Sequence, residues 1–343
     1  MHLTRIAGVA LIAATMTKGL AAQAPTVTVG GVSYLQYVYQ LKDTVNHVNN
    51  FDVTRAYINV LGRLDVVGTR VTADVYRVAD GSLAYRLKYA FVTYTPKRSP
   101  FTFKLGQMQT AWVDWEETLW DYRMQGQIAL ERGDLLAPLS YVSSSDFGAG
   151  VDGKWGPDKV NAQFVVINGE NYNRAPGDKR KDAQARVSVR VMKTDDSSRV
   201  GGLRLSAYGH YGAPTSGGTR NRILGMVSYR SRRVTLAAEI AAMKDSVTTP
   251  LLLPRKGRLI GAFAVYHVPR SRTTFVGRLD VLDPNTATPN NRQTRFILGA
   301  SYQLTPNLRL LADIDNVSYE GGITTPALEA VRSQALFQVQ FTF

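Results

Sequence analysis

The sequence contains no cysteine among its 343 residues. A disulfide framework, a thiol nucleophile and a thiolate metal site are therefore excluded. Histidine is also scarce, with four in the whole chain, and neither His-x-x-x-His nor Gly-x-Ser-x-Gly occurs. His210, on a face predicted to point inward, is an isolated candidate base. Because a hydrolase needs a nucleophile and a supporting base within hydrogen-bond reach, we expect no enzyme, no metal site and no cofactor.

Long apolar runs are missing as well. The run from Ile6 to Met16 is too short for a membrane helix, which needs about 20 apolar residues. A basic start precedes it and the small residues Ala21-Ala22-Gln23-Ala24 follow it, which is the arrangement of a secretory signal peptide. We therefore predict that residues 1–24 are a cleaved signal and that residues 25–343 form the mature, exported protein.

Acidic residues are outnumbered by basic ones, 27 to 41, which gives a formal net charge of +14. Removal of Arg5 and Lys18 with the signal leaves about +12. A basic excess favours anionic partners such as nucleic acid, lipopolysaccharide or small anions. Export argues against nucleic acid, so we expect outer-membrane lipid, lipopolysaccharide and small anionic solutes as partners.

Period-two alternation is present from Thr26 to the end of the chain. In the last segment, Ala335, Phe337, Val339 and Phe341 share one face, and glutamines occupy much of the other. Segments of this kind, about ten residues long and separated by turn residues, are the signature of a transmembrane β-barrel. With no apolar helix available, a closed barrel is the structure that satisfies every backbone group in lipid.

Sixteen segments are candidate strands. They span 27–40, 51–64, 69–79, 83–95, 101–109, 145–155, 159–168, 181–193, 200–211, 220–231, 233–244, 257–268, 272–282, 292–303, 307–317 and 334–343. We therefore predict an all-β fold, a transmembrane antiparallel β-barrel of about sixteen strands in the outer membrane. A barrel of about this size encloses an aqueous lumen.

One stretch, residues 111–140, does not alternate. It contains three tryptophans and several leucines, and an acidic stretch after Trp112 resembles the start of a helix. The insertion either projects into solvent or folds into the lumen. We favour the lumen, where it would form a constriction, because the aromatic and leucine side chains would otherwise face water.

Basic residues on predicted inward faces form the main candidate site, because rings of arginine and lysine give pores a preference for anions. The predicted pore-lining residues are Arg55, Arg63, Arg86, Lys88, Lys104, Arg186, Arg190 and Arg204. The alternative is that these side chains pair with inward acids and brace the wall.

Charged residues of the insertion form the second part of the site. The candidates are Asp114, Glu116, Glu117, Asp121, Arg123, Glu131 and Arg132. Acids on the insertion facing basic wall residues would create a transverse field across the constriction, with Lys88, Lys104 and Arg123 on the basic side. Alternatively, Glu131 and Arg132 form a structural pair that attaches the insertion to the wall.

Three stretches between Phe51 and Trp155 carry a family resemblance. They are FDVTRAYINVLGRL, LKYAFVTYTP followed by FTFKLGQMQT, and Glu131-Arg132 followed by Asp146-Phe147-Gly148-Ala149-Gly150 and Gly153. Together they resemble the phosphate-selective porin family, of the porin O and P type. Beyond Trp155 the likeness is one of architecture. The ending Phe341-Thr342-Phe343 resembles the signal by which the barrel-assembly machinery recognises its clients.

The resemblance implies a sixteen-stranded, homotrimeric outer-membrane porin with a preference for anions. Two functions remain open at this point. The barrel is either a water-filled channel for passive diffusion of small solutes, or a plugged barrel that serves a structural or surface-interaction role.

Overall fold

The computed structural model describes residues 24–42, 47, 49–78, 80–135, 140–175, 177–214, 217–246, 254–322 and 333–343. The predicted signal at 1–24 lies almost wholly outside the described residues. Among the described residues, no helix is long and apolar enough to cross a membrane.

Sixteen strands account for most of the described chain. The first eight are β1 (Thr26–Gln40), β2 (Asn49–Leu64), β3 (Val67–Arg77), β4 (Leu83–Tyr94), β5 (Phe101–Gln109), β6 (Ser145–Trp155), β7 (Val160–Ile167) and β8 (Asp182–Met192). The second eight are β9 (Gly202–Gly212), β10 (Thr219–Arg230), β11 (Val234–Ser246), β12 (Arg255–His267), β13 (Thr273–Asp283), β14 (Gln293–Thr305), β15 (Leu308–Tyr319) and β16 (Ser333–Thr342). Each of the sixteen predicted segments corresponds to one of these strands, so the predicted fold class is confirmed.

The strands form a closed antiparallel barrel in which every strand pairs with its neighbours in the chain and β16 pairs with β1. The closing register runs from Val32 opposite Thr342 to Gln40 opposite Gln334. Phe343 continues it, because its backbone exchanges hydrogen bonds of 2.8 and 3.0 Å with Gly31. Closure leaves no free sheet edge, as a sheet in lipid requires.

The two faces of each strand differ in chemistry. In β8, Asp182, Gln184, Arg186 and Ser188 are buried inside the barrel, whereas Val187 is exposed on the outside. Exposed apolar side chains recur on the outer face of the other strands. The apolar outer surface is what lipid contact requires.

The two ends of the barrel differ in their connections. One end carries the start of β1, the end of β16 and short connections such as 65–66, 156–159 and 306–307. The other end carries the longest connections, among them 110–144, 168–181 and 320–332. Barrels of this architecture place short turns on the periplasmic side and long loops on the extracellular side.

The connection between β5 and β6 folds into the barrel. Its regular parts are helix α1 (Val113–Trp120), a short 3-10 turn (Arg123–Gln125) and helix α2 (Ala129–Arg132). Trp112, Leu119, Ile128 and Leu130 have no exposed surface. They pack into one apolar cluster with side chains that come mainly from β9 to β13. We call residues 110–135 the inserted segment.

The closing seam gives a stability prediction. A methyl group on Gly31 would lie 2.5 Å from the backbone oxygen of Tyr57 and would also meet the Phe343 ring. We therefore expect Gly31→Ala to destabilise the barrel by about 1–3 kcal/mol, the usual range for overpacking. Thermal unfolding, followed by the heat-dependent shift of the folded barrel in gel electrophoresis, measures this.

Gly225→Ala is the matched control for the seam, because a methyl group at Gly225 would meet no atom within 4 Å. It should change the free energy of unfolding by no more than about 0.5 kcal/mol. Equal melting temperatures for the two variants would contradict the prediction.

Candidate functional site

Arginines of the barrel wall hold the inserted segment. Arg186 of β8 donates to the Ala111 carbonyl oxygen at 3.1 Å and lies over the Trp115 ring, 4.1 Å from its centroid. Arg230 of β10 donates to the Thr118 carbonyl oxygen at 2.7 Å. These contacts satisfy carbonyl groups of α1 and of the residues before it, which would otherwise be buried without partners.

The most buried attachment is an ion cluster around Arg278 of β13. Its guanidinium contacts Glu116 at 2.8 Å, Asp280 at 2.9 Å and Glu239 at 3.7 Å. Glu116 also accepts a hydrogen bond of 2.8 Å from the Trp112 indole. Arginine and the three acids are almost completely buried, so the cation is needed to balance them.

Acids of the inserted segment that do not face this cluster are paired as well. Asp114 binds Arg199 at 2.8 Å, and Asp121 binds Arg309 at 3.4 Å. Glu117 binds the Arg123 guanidinium at 3.0 Å. The acids that were predicted to create a transverse field are therefore largely balanced by neighbouring arginines.

Burial raises the pKa of the Glu117 carboxyl to about 7, against the attraction of Arg123. The nearby Glu131 carboxylate, which shares the same guanidinium, contributes to this raised pKa. The charge of Glu117 thus changes near neutral pH.

Glu131 and Arg132 do not form the pair considered above. Glu131 binds Arg123 at 3.0 Å within the inserted segment. Arg132 faces the wall, 3.7 Å from Asp280. Consecutive residues of a helix point in different directions, which is why the two side chains find different partners.

A cavity of about 260 Å³ separates the inserted segment from the opposite part of the wall. Its wall side is formed by β16 and by β1 to β5, and its other side by α1 and the residues after it. It is lined by Val32, Tyr34, Tyr57, Asn59, Arg70, Thr72, Lys88, Tyr89, Gln109, Asp114, Glu117, Thr118, Asp121, Arg123 and Gln340. The inserted segment thus fills the β9–β15 half of the lumen, and this cavity lies on the other side.

Two wall cations face the cavity without a carboxylate partner among the described residues. Lys88 donates to the Tyr57 hydroxyl at 3.1 Å. Arg70 donates to Asn59 at 2.9 Å and lies over the Tyr89 ring, 4.7 Å from its centroid. Neutral oxygens and aromatic faces hold both cations in place without cancelling their charge.

The predicted pore-lining residues nearest this wall are partly neutralised. Arg55 and Arg86 share the buried Asp74 carboxylate at 2.7 and 2.8 Å, so this trio keeps one positive charge. Lys104 binds Asp152 at 2.6 Å and does not line the cavity. Lys104 therefore pairs with an acid and braces the wall, which is the alternative stated above for the predicted pore-lining residues.

Three further predicted residues lie toward the short-connection end. Arg204 is completely buried and binds Asp158 at 3.0 Å. Arg190 donates to the Pro157 carbonyl oxygen at 2.7 Å. Arg63 is exposed near the end of β2. Arg186 lies beneath the inserted segment. Of the eight predicted residues, Lys88 lines the cavity and the other seven do not.

Sequence reasoning missed Arg70 and Arg199. Arg70 stands two positions before Thr72 and four before Asp74 on one face of β3, and both of these are buried inward. The same alternation therefore predicts that Arg70 points inward, as Asp74 does. Arg199 lies in the connection between β8 and β9, where no periodicity exists to indicate its direction.

His210, the isolated candidate base, is held in a group of hydrogen bonds around Asp182. Its ring contacts Asp182 at 2.8 Å, and the same carboxylate accepts the Ala213 amide at 3.0 Å and Arg220 at 3.3 Å. Within the described ranges, no group of three histidine, aspartate or glutamate residues is arranged to hold a metal ion.

Comparison with known proteins bears on the fold. No family model matches the sequence, and no curated protein matches it. The anion-selective porin from Comamonas acidovorans superposes with a TM-score of 0.68 at 11% identity, covering 93% of this chain and 100% of that chain. The trimer form of OmpT, an outer membrane protein of Vibrio cholerae, gives a TM-score of 0.64 at 12% identity, with 94% and 99% covered. Salmonella typhi OmpF, in a complex with daunomycin, gives 0.64 at 12% identity, with 92% and 97% covered.

These likenesses extend over nearly the whole of each chain. At such low identities they establish a shared architecture, so this chain has the fold of outer-membrane porins.

The ion cluster gives the second prediction. Replacement of Arg278 by Gln leaves Glu116 and Glu239 buried without their cation, and leaves Asp280 with Arg132 alone. Loss of one partner from a buried ion pair typically costs about 3–5 kcal/mol, so the melting temperature of Arg278→Gln should fall clearly below that of the wild type.

Arg232→Gln, in the exposed turn between β10 and β11, is the control and should melt like the wild type. Adding Glu116→Gln to Arg278→Gln should recover part of the loss, because one of the uncompensated acids is removed. An Arg278→Gln variant as stable as Arg232→Gln would refute this account of the anchor.

Proposed function

We propose that this protein is an outer-membrane porin: a channel for passive diffusion of small solutes that prefers anions. The observation that carries the proposal is the pair Arg70 and Lys88, which face the cavity with no carboxylate partner among the described residues. Across the cavity, Asp114 and Asp121 are each paired with an arginine, and Glu117 shares Arg123 with Glu131. With Arg70 and Lys88 added, the positive charges around the cavity outnumber the negative ones.

The basic residues follow one another along the wall. Strand pairing sets Asp74 opposite Arg86, and Thr72 opposite Tyr89. The partly neutralised Arg86 thus lies toward the long connections, Lys88 follows it along β4, and Arg70 lies further toward the short ones. An anion entering from the long-connection end would meet positive charge at each level. In a low-dielectric wall such charges concentrate anions and raise their entry rate roughly tenfold or more.

Export, assembly and trimerisation are inferred from the sequence and from the similar structures. The candidate signal at 1–24 supports export, and the ending at Phe341 and Phe343 supports assembly by the barrel-assembly machinery. The trimer form among the similar structures supports a homotrimer. The resemblance to phosphate-selective porins makes phosphate one solute to test beside chloride.

A second candidate function is that of a plugged barrel. The large part of the lumen that the inserted segment fills favours it. The inserted segment packs against most of the β9–β13 wall and is fixed by buried arginines. Single-channel recording in planar bilayers separates the two functions. Absence of current at every applied voltage would refute the channel and favour the plugged barrel.

Selectivity gives the third prediction. A double variant, Arg70→Gln with Lys88→Gln, removes the two cations that lack an acid partner. The anion-to-cation permeability ratio, measured from the reversal potential in a salt gradient, should fall severalfold. Lys193→Gln, an exposed residue just after β8, is the control and should leave the ratio unchanged. An unchanged ratio in the double variant would refute the assignment of these two residues.

Glu117 gives the fourth prediction. Its pKa of about 7 means that the carboxylate is charged above neutral pH and protonated below it. Lowering the pH from about 8 to about 6 removes this negative charge from the cavity, so anion preference should rise.

The reversal potential at the two pH values measures the effect. Glu117→Gln should show the low-pH selectivity throughout and lose this part of the pH dependence. A pH dependence that is the same in wild type and variant would place the titrating group elsewhere.

A further inference from the structure

Three basic residues lie on the outside of the barrel, where the strands otherwise present apolar side chains. Lys244 of β11 and Lys256 and Arg258 of β12 are exposed. Their neighbours Met243, Gly257 and Leu259 are buried inside, so alternation directs the three cations outward. All three are near the connection between β11 and β12, at the long-connection end.

The strand register brings these charges together. Lys244 is directly opposite Lys256, and like charges in such a position destabilise a sheet. In the part of the chain that the structure describes, no acid forms an ion pair with Lys244, Lys256 or Arg258. Arg258 is opposite Asp283, whose carboxylate accepts the Asn285 amide at 3.2 Å. Three cations and one acid leave this patch positive.

Below the cations the outer surface is apolar. Ala242 is opposite Arg258, and Ile240 opposite Ile260 is the next outward pair toward the middle of the barrel. Ile223 of β10, 68% exposed, stands beside Ala242. A groove of about 450 Å³ is lined by Ile223, Ile240 and Ala242 and by the three cations. The small Ala242 side chain, flanked by isoleucines, leaves the space for it.

We propose that this surface, defined by Lys244, Lys256, Arg258 and the groove beneath them, binds a phosphorylated lipid of the outer leaflet, namely lipopolysaccharide. The lipid phosphates lie against the three cations and relieve the repulsion between Lys244 and Lys256. An acyl chain occupies the groove beside Ile223, Ile240 and Ala242. The proposal rests on the outer-membrane location proposed above.

Charge and position both favour this occupant. A protein partner or a second copy would cover the apolar strip, but it would have to supply acids at the lipid headgroup level. Phosphate is the anion that the leaflet itself supplies there, and each basic residue near an anionic lipid surface adds to the attraction. The combination of cations above and alkyl groups below matches the two halves of one lipid molecule.

The test uses the purified full chain in neutral detergent and rough-type lipopolysaccharide as the probe, with binding measured by thermophoresis. The triple variant Lys244→Gln, Lys256→Gln, Arg258→Gln should bind at least about tenfold more weakly than the wild type. The control Lys193→Gln, Arg232→Gln, Arg233→Gln removes the same charge from exposed positions at the short-connection end. It should bind like the wild type.

The charge-preserving variant Lys244→Arg, Lys256→Arg should retain binding. Dephosphorylated lipopolysaccharide should bind the wild type and the triple variant equally weakly. Excess inorganic phosphate should not displace the lipid. Displacement by phosphate, or an equal loss of affinity in the control triple variant, would overturn the lipid site.

Conductance of the same variants keeps this proposal separate from the channel. The triple variant should conduct like the wild type, because its changes lie outside the lumen. Wild-type affinity in the triple variant would refute the lipid site and leave the channel standing. Binding that depends on the three cations in a chain that passes no current would refute the channel and support the lipid site.

Discussion

Backbone hydrogen bonding between β16 and β1 is the constraint on which the rest of this structure depends. Because the sheet closes, every strand has two partners, and the outer surface can face lipid without unpaired amide or carbonyl groups. Closure also creates an enclosed volume lined by polar side chains. What fills that volume then decides the properties of the interior.

The inserted segment fills one half of the interior, and this divides the inward arginines into two groups. Several of those on β8 to β15, such as Arg186 and Arg278, bind carbonyl groups or acids of the segment. Arg70 of β3, together with Lys88 of β4, lines the cavity that remains. The same residue type therefore serves attachment on one side and a positive field on the other, according to whether an acid or a carbonyl group lies opposite.

Residues outside the lumen follow a related rule. An outward lysine or arginine in lipid requires an anion or water near it, so its level on the strand matters. Lys244, Lys256 and Arg258 stand at the long-connection end, with isoleucines beneath them. Their placement at the edge of the apolar band is compatible with a phosphate headgroup and an acyl chain in one site.

The sequence by itself indicated about sixteen strands, their approximate bounds and the face to which most side chains point, because period-two alternation is a local property. It also determined that residues 111–140 would interrupt the alternation and that the inward faces would be basic. It identified Lys88 from the alternation and Glu117 from its place in the insertion, although it overlooked Arg70 on the same face as Asp74.

Only the tertiary structure decided which of these charges remain without an acid partner. Arg278 and Glu116 are 162 positions apart in the chain, and no local pattern shows that they meet. Lys104 with Asp152, and Arg123 with Glu117 and Glu131, are likewise pairings set by strand register and by the path of the inserted segment. The physical reason is that alternation fixes the direction of a side chain, whereas its net charge in the lumen depends on what the fold brings opposite to it.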